Sequence, residues 1–342
     1  MNEAYDGQQF VGIDLHRRRS VLVRMSESGE QLDAVRIWND RDQMTAVMAQ
    51  AGEHPEVVLE ATYGWYWAAD LLSGLGAAVH LAHPLGVKGF AYRRVKNDFV
   101  DAADLADLLR MGRLPEAWIA PPPTRELREL VRHRAKLVHA RTGLRCQVHA
   151  VLAGQGVLVP VSDLFGVKGA QLLAELALPA VYRYRIDSLL RLIEAFDGEI
   201  DQTAALTGQR LRQDPGYAAV QTIPGVGPIL GAVFVAEIGD IGRFPGPAQL
   251  ASWAGLTPKH YESDTTVHRG RITKQGSRLV RWAAVEAVQR TEKGTRLAAV
   301  RDRVAARRGR NIGTVAAARE LVEMVFYALR DHHVRRLLRS AA

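Results

Sequence analysis

Three consecutive prolines, Pro121-Pro122-Pro123 in the stretch WIAPPPTRE, divide this chain. Each lacks a backbone N–H and fixes its own φ, so no regular element runs through them. The two sides must fold as separate sets of elements, and their hydrophobic patterns differ accordingly. Upstream, QQFVGIDL, RSVLVRMS and QLDAVRIW are short apolar or β-branched runs separated by HRR and by SESGE. That spacing suits two hairpins, hence three antiparallel strands. A helix is expected from Asp40 to Ala51, then a buried strand in PEVVLEA, a helix in WYWAADLLSGLG and a strand in AAVHLAH. Residues 1–123 therefore read as an α/β module with a mixed five-stranded sheet and helices against it.

Downstream the period changes. Leu127, Leu130, Val131, Leu137, Val138, Leu144, Val148, Val151 and Leu152 recur at helical spacing, a length that suits a coiled-coil arm. A second helical stretch runs from Tyr182 to Leu211, so residues 124–215 read as a long, coiled-coil-like helical linker able to dimerise. Residues 216–342 read as mainly helical. There TIPGVGPILGAVFVAEIGD makes two short helical runs around Pro224-Gly225-Val226-Gly227. The turn resembles that of a helix–hairpin–helix, whose glycines let backbone N–H groups approach a phosphate, which makes Gly225 and Gly227 candidates for nucleic-acid contact. The polar segment from Leu256 to Gly276 lacks strong periodicity, and segments of that kind are often functional.

The formal net charge is +8, and the blocks HRRRS, RRVK, RELRELVRHRAKLVHARTGLR and RDRVAARRGR carry much of it. Such blocks point to a polyanionic partner, nucleic acid rather than membrane, because no amphipathic anchor accompanies them. The row Arg125, Arg128, Arg132, Arg134, Lys136, Arg141 and Arg145 is the candidate for holding RNA or DNA backbone. Cys146 is the one cysteine, which excludes a disulfide framework and suits a reducing compartment. MNEAYDGQQ has no apolar signal-peptide core, and the longest apolar run is too short to span a bilayer. A cytoplasmic protein is expected, nucleoid-associated when bound to DNA.

In VKNDFVDAADLADLLR, Asp98, Asp101, Asp104 and Asp107 stand at intervals of three. At about 100° per residue, neighbours in that series lie side by side while the first and last point to opposite faces. Either one pair shares a cation or the row is a solvated acidic edge. Asn97 and Asp98 also suit a helix cap, and Asp104 and Asp107 read as solvated helix-face residues. Asp14 ends the first strand, Glu60 ends VVLE, and Asp98 and Asp101 open the helix after the last strand. Carboxylates so placed can converge at one end of a sheet, where hard divalent ions would bridge a phosphodiester oxygen. Mg²⁺, or Mn²⁺, is the natural ion, since no His/Cys set has zinc spacing. Further on, GLTPKHYESDTTVHRGRITKQGSR sets Ser and Thr hydroxyls among Lys259, His260, His268, Arg269, Arg271 and Lys274. One hydroxyl could attack or hold a phosphate, or the segment is a surface hairpin rich in turn-forming residues.

Taken together, GIDLH, LEATYGWYW, KNDFVDAADLA, IPGVGPILGAVFVAEIGDIGRF, LASWAGLTPKHYES and GSRLVRWA occur in an order that covers nearly the whole chain. In this the chain resembles the DEDD transposases of the insertion sequence one-ten family, which are bridge-RNA-guided DNA recombinases. The resemblance implies a RuvC-like, ribonuclease-H-type nuclease domain joined by a helical linker to a C-terminal transposase domain. Its DEDD set falls on Asp14, Glu60, Asp98 and Asp101, and its nucleophilic serine on Ser263. The chain departs from the family at Asp264, where glycine is usual, and at KND, where KTD is commoner. The implied partners are donor and target DNA, a structured noncoding guide RNA and further copies of the chain, as a dimer or as a tetramer on DNA. The implied reaction is a transesterification at a composite site, with no need of ATP. A RuvC-like nuclease or junction resolvase using water is the alternative. The hairpin GIDLHRRRSVLVR is also similar to that of actin-like sugar kinases, but its turn lacks their Gly, Ser and Thr. An inactive nucleic-acid-binding relative is disfavoured because every expected carboxylate is present.

Overall fold

A computed structural model describes residues 5–90 and 97–334. The basic block 93–96 and the side chain of Arg269 lie outside the described residues. Contacts divide the chain into two units, Met1–Ile119 and Ala120–Ala342.

The first unit is built on the expected mixed sheet. Strands β1 (Phe10–Leu15), β2 (Arg19–Met25) and β3 (Gln31–Trp38) form antiparallel pairs; β4 (Glu56–Glu60) and β5 (Ala78–Ala82) run parallel to β1. The spatial order is β3-β2-β1-β4-β5. Alternation along the strands gives each face its own core. Val11, Ile13, Leu22, Val57, Leu59 and Leu81 pack with Met44 of α1 (Arg41–Met48) and Leu72 of α2 (Trp65–Gly74). A short α3 (Pro84–Val87) follows β5, and α4 (Asp98–Arg110) covers the opposite face. There Val21 and Val23 meet Ala102, while Val58 and Ala82 meet Leu105 and Leu109.

Gly12 sets the height of α4 over the sheet. A Cβ built on Gly12 would lie 1.9 Å from the Ala102 carbonyl oxygen, so only glycine allows this approach. The helix starts where it does because Asn97 caps it, accepting a hydrogen bond from the Phe99 N–H. Asp98 is the first helical residue, so its carboxylate is not the cap.

In the second unit the prolines begin a helix as well as ending what precedes them. Helix α5 (Pro122–Gly154) carries proline in its first turn, where the missing N–H has no intrahelical partner anyway. It packs along α7 (Ala180–Arg210), with α6 (Val167–Glu175) in the connection. Arg210 pairs with Glu126 and Arg141 with Asp197, so numbers fall along one helix as they rise along the other, and the pair is antiparallel. Leu127 and Val131 at the base of α5 join the core of α8 (Pro215–Val220), α9 (Pro228–Ile238), α10 (Pro247–Trp253), α11 (Arg278–Gln289), α12 (Arg296–Arg308) and α13 (Arg310–Asp331). Gly225, at φ 87°, lies against α11, where a Cβ would stand 2.1 Å from the Ala287 carbonyl oxygen. Packing is reason enough for that glycine, whereas Gly227 is exposed at the start of α9. The polar segment 256–276 folds as a hairpin, β6 (Pro258–Ser263) and β7 (Thr266–Ile272). Among the described residues no helix is long and apolar enough to cross a membrane.

Candidate active site

Asp14 and Val21 are partners in the β1–β2 register, so they share the face that α4 covers. Two strand residues advance about 7 Å and four helical residues about 6 Å. Moving from Gly12 to Asp14 therefore corresponds to moving from Ala102 back to Asp98. The two carboxylates meet at the rim of the sheet, where α4 begins. His16, in the β1–β2 turn, lies between them: its Nε2 is 3.1 Å from Asp14 Oδ2 and 3.4 Å from Asp98 Oδ1. A ligand atom from each of Asp14, His16 and Asp98 lies within 4.8 Å of the others. Arg36 on β3 reaches Asp98 Oδ2 at 3.4 Å, so this carboxylate faces the His16 imidazole with one oxygen and a guanidinium with the other.

Register and stripe place the other two acids at the same end. Ile13 is opposite Leu59 at the end of the parallel β1–β4 ladder, and Asp14 and Glu60 are the residues that follow them. Glu60 shares the face of Val58, two residues earlier. Asp101 is one helical turn before Leu105, which packs with Val58 and Ala82, so it sits on the β4 side of α4. Glu60 and Asp101 stand outside the close group of Asp14, His16 and Asp98. Asp107 is elsewhere, pairing with Arg110 at 2.6 Å.

Sequence reasoning did not single out His16 as a ligand. Within HRRRS it reads as one more cation, but its position two residues after a strand-end aspartate was an available signal. The fold holds it there through Asn39. The Asn39 side-chain N–H donates to the His16 carbonyl at 2.6 Å, its backbone N–H donates to Arg18 O at 2.9 Å, and its side-chain oxygen accepts from Ser20 at 2.6 Å. As a donor set, two carboxylates and an imidazole, with two more acids at the same rim, fit a divalent cation. Oxygen ligands suit Mg²⁺, and the imidazole is better suited to Mn²⁺.

Ser263 ends β6 and pairs with Thr266, closing a two-residue turn over Asp264 and Thr265. Asp264 has φ 52°, the left-handed conformation that glycine adopts most freely and that aspartate tolerates. The turn thus keeps glycine's conformation although the residue is Asp. Every residue of β6 is exposed; His260 and His268 are exposed partway along the ribbon, and Lys259, Arg271 and Lys274 toward its root, away from the serine.

Much of the basic row on α5, the candidate for holding RNA or DNA backbone, is half-buried and engaged by the protein's own groups. Arg125 is 5% exposed. Arg128 donates to the carbonyls of Ala236 and Glu237 at 2.9 and 2.8 Å, at the end of α9. Arg132 makes two bonds to the buried Glu237, at 2.7 and 3.2 Å, and Ser277 donates to the same carboxylate at 3.0 Å. Arg141 and Arg145 both pair with Asp197. Burial, then the charge of Arg141, lowers the Arg134 pKa, with Asp201 opposing. Lys136 is the exposed member of the row. The physical reason is that buried helix ends and buried acids need cations, and α5 supplies them.

Comparison with known proteins gives consistent likenesses. Residues 11–155 match the model of a DEDD transposase family, and residues 217–302 that of the transposase IS116/IS110/IS902 family. A putative transposase, y4qE, of Sinorhizobium fredii is 28% identical over 82% of this chain and 70% of its own length. An uncharacterized protein of insertion element IS116 from Streptomyces clavuligerus is 26% identical over 94% of both chains. The transposase for insertion sequence element IS1328 of Yersinia enterocolitica is 26% identical over 81% of both.

Proposed function

The chain belongs to the IS116/IS110/IS902 transposase family, and we propose that it cuts and rejoins the DNA strands of a mobile insertion element by metal-assisted transesterification. The observation that carries the reading is the convergence of Asp14 and Asp98 on the Nε2 atom of His16 at the rim of the sheet. Asp14 and Asp98, with Glu60 and Asp101 beside them, would hold Mg²⁺ or Mn²⁺. Such an ion supplies neutralisation of charge at a phosphate under attack.

The remaining chemistry falls to the protein's own groups. Ser263 Oγ attacks phosphorus, a new O–P bond forms and the P–O3′ bond breaks. The serine proton leaves, and the 3′ oxygen is released as a hydroxyl. A 3′ hydroxyl of another strand then reverses the step, breaking the serine–phosphate bond and rejoining DNA. One ester is exchanged for another, so no nucleotide triphosphate is needed. Exposed Lys259, Arg271 and Lys274, toward the root of the ribbon whose tip carries Ser263, support a nucleic-acid backbone lying along it. A net charge of +8 supports a nucleic-acid partner, and base pairing with a structured guide RNA would choose the sequence while the protein reads shape and charge. The assembly would be a dimer, or a tetramer on DNA, in the cytoplasm.

Labelled DNA incubated with the protein in Mg²⁺ and trapped in denaturant tests the reading. Wild type should carry label on the polypeptide, and Ser263→Ala should carry none. If Ser263→Ala cuts as fast as wild type, water is the nucleophile and the chain acts as a hydrolytic nuclease.

A further inference from the structure

A groove of about 530 Å³ opens beside the acidic cluster, lined by His16, Arg17, Arg18, Arg19, Arg36, Trp38 and Asp98 among others. Its volume falls within the range of about 300–1,000 Å³ usual for small-ligand sites. None of its arginines or its tryptophan belongs to the carboxylate set or to the α5 row. Two kinds of surface meet in it. The first is charge: Arg17, Arg18 and Arg36 are exposed around the single carboxylate of Asp98. The second is aromatic. Trp38 and Arg19 are directly opposite in the β2–β3 register, and the Arg19 guanidinium carbon lies 4.0 Å from the centre of the Trp38 ring. Trp38 nonetheless remains 52% exposed, a large apolar surface at the end of an ordered strand.

We propose that this groove binds one unpaired nucleotide of the DNA strand next to the phosphate being cut, with its base stacked on Trp38. The substrate class rests on the strand-transfer reading above; the site itself rests on the groove. Cations alone would serve any polyanion, and an exposed indole alone would serve any apolar partner. Their combination suits a nucleotide, whose phosphate and base need one of each. Arg17, Arg18 and Arg36 take the phosphate, while Arg19 on the Trp38 ring presents an extended cationic and π surface to the base. Sharing His16 and Asp98 with the acidic cluster sets the groove one nucleotide from the reacting phosphate. A base can lie on the indole only if it leaves its own stack, so the strand must be unpaired there. Asn39 makes the site rigid, since it ties the turn carrying Arg17 and Arg18 to the end of the strand carrying Trp38.

The test uses the full chain carrying Ser263→Ala and a short single-stranded DNA with one iododeoxyuridine, a base that crosslinks to an aromatic ring on which it stacks. After irradiation the crosslinked peptide is mapped by mass spectrometry, and affinity is measured by fluorescence anisotropy. The crosslink should fall on Trp38. Trp38→Ala should bind the strand about tenfold more weakly, with Trp38→Phe recovering most of the loss. The same sequence as a duplex should give no crosslink there. Crosslinks confined to other aromatic residues, equal crosslinking of the duplex, or unchanged affinity in Trp38→Ala would each overturn the proposal. Failure of the strand-transfer reading looks different: wild type would form no adduct and cut no DNA while the Trp38 crosslink persisted.

Discussion

Asp14 stands at the rim of a sheet covered on both faces, and Ser263 at the tip of a two-stranded ribbon whose first strand is exposed along its whole length. Around Asp14, strand register, the contact of Gly12 with α4 and the Asn97 cap leave little freedom in where the carboxylates point. Around Ser263, the described residues show the ladder of the exposed ribbon itself, and a two-stranded ribbon alone is marginal in water. Rigidity returns at its root, where the Thr273 N–H donates to Thr257 O at 2.9 Å and Ser277 caps α11 while binding Glu237. The contrast teaches that the fold itself fixes the acids, whereas the Ser263 hydroxyl stands on an exposed ribbon tied down at its root.

Substitutions can break this contrast or sharpen it. The largest effect is expected from Asp98→Asn, which should slow strand cutting about a thousandfold without lowering thermal stability, because that carboxylate serves the site and not the cap. Parallel loss of cutting and of melting temperature would break the separation of site from scaffold. Next is Glu237→Ala, which removes the buried carboxylate that accepts from both Arg132 and Ser277 and should cost about 3 kcal/mol in denaturant unfolding. The root of the ribbon should loosen with it, seen as faster amide exchange at 273–277 than in wild type. Gly12→Ala forces α4 away from β1 and should cost about 2 kcal/mol, with cutting reduced as Asp98 moves from Asp14. Smallest is Asp264→Gly, expected to change stability by less than about 1 kcal/mol, since the turn already has the conformation glycine prefers. A large loss of folding there would mean that the Asp264 side chain supports the turn, against the description of a free-standing ribbon.

Much of the acidic site was legible from residue patterns. Alternating runs separated by turn residues define β1 to β3, and a carboxylate at the end of each of two parallel strands places Asp14 and Glu60 at one end of the sheet. Helical spacing likewise separates Asp98 from Asp107. Less visible were features that depend on distant partners. The arginines of α5 read as a binding row because the acids that engage several of them, Asp197 and Glu237, lie about a hundred residues or fewer further on, with no local pattern linking them. His16 was hidden for a related reason, since a histidine in a basic turn gains meaning only once α4 is laid across the sheet. Gly12 carried no signal either, because its role is the absence of an atom where a backbone carbonyl arrives.

Manganese binding to the full-length protein without DNA, followed by calorimetry, bears most directly on the claim that the sheet rim is a divalent-cation site. Wild type should bind Mn²⁺, and Asp14→Asn and Asp98→Asn should each bind it at least about tenfold more weakly, in step with their loss of cutting. Equal Mn²⁺ affinity in wild type and both variants would contradict the account, for the acids at the rim would then hold no ion.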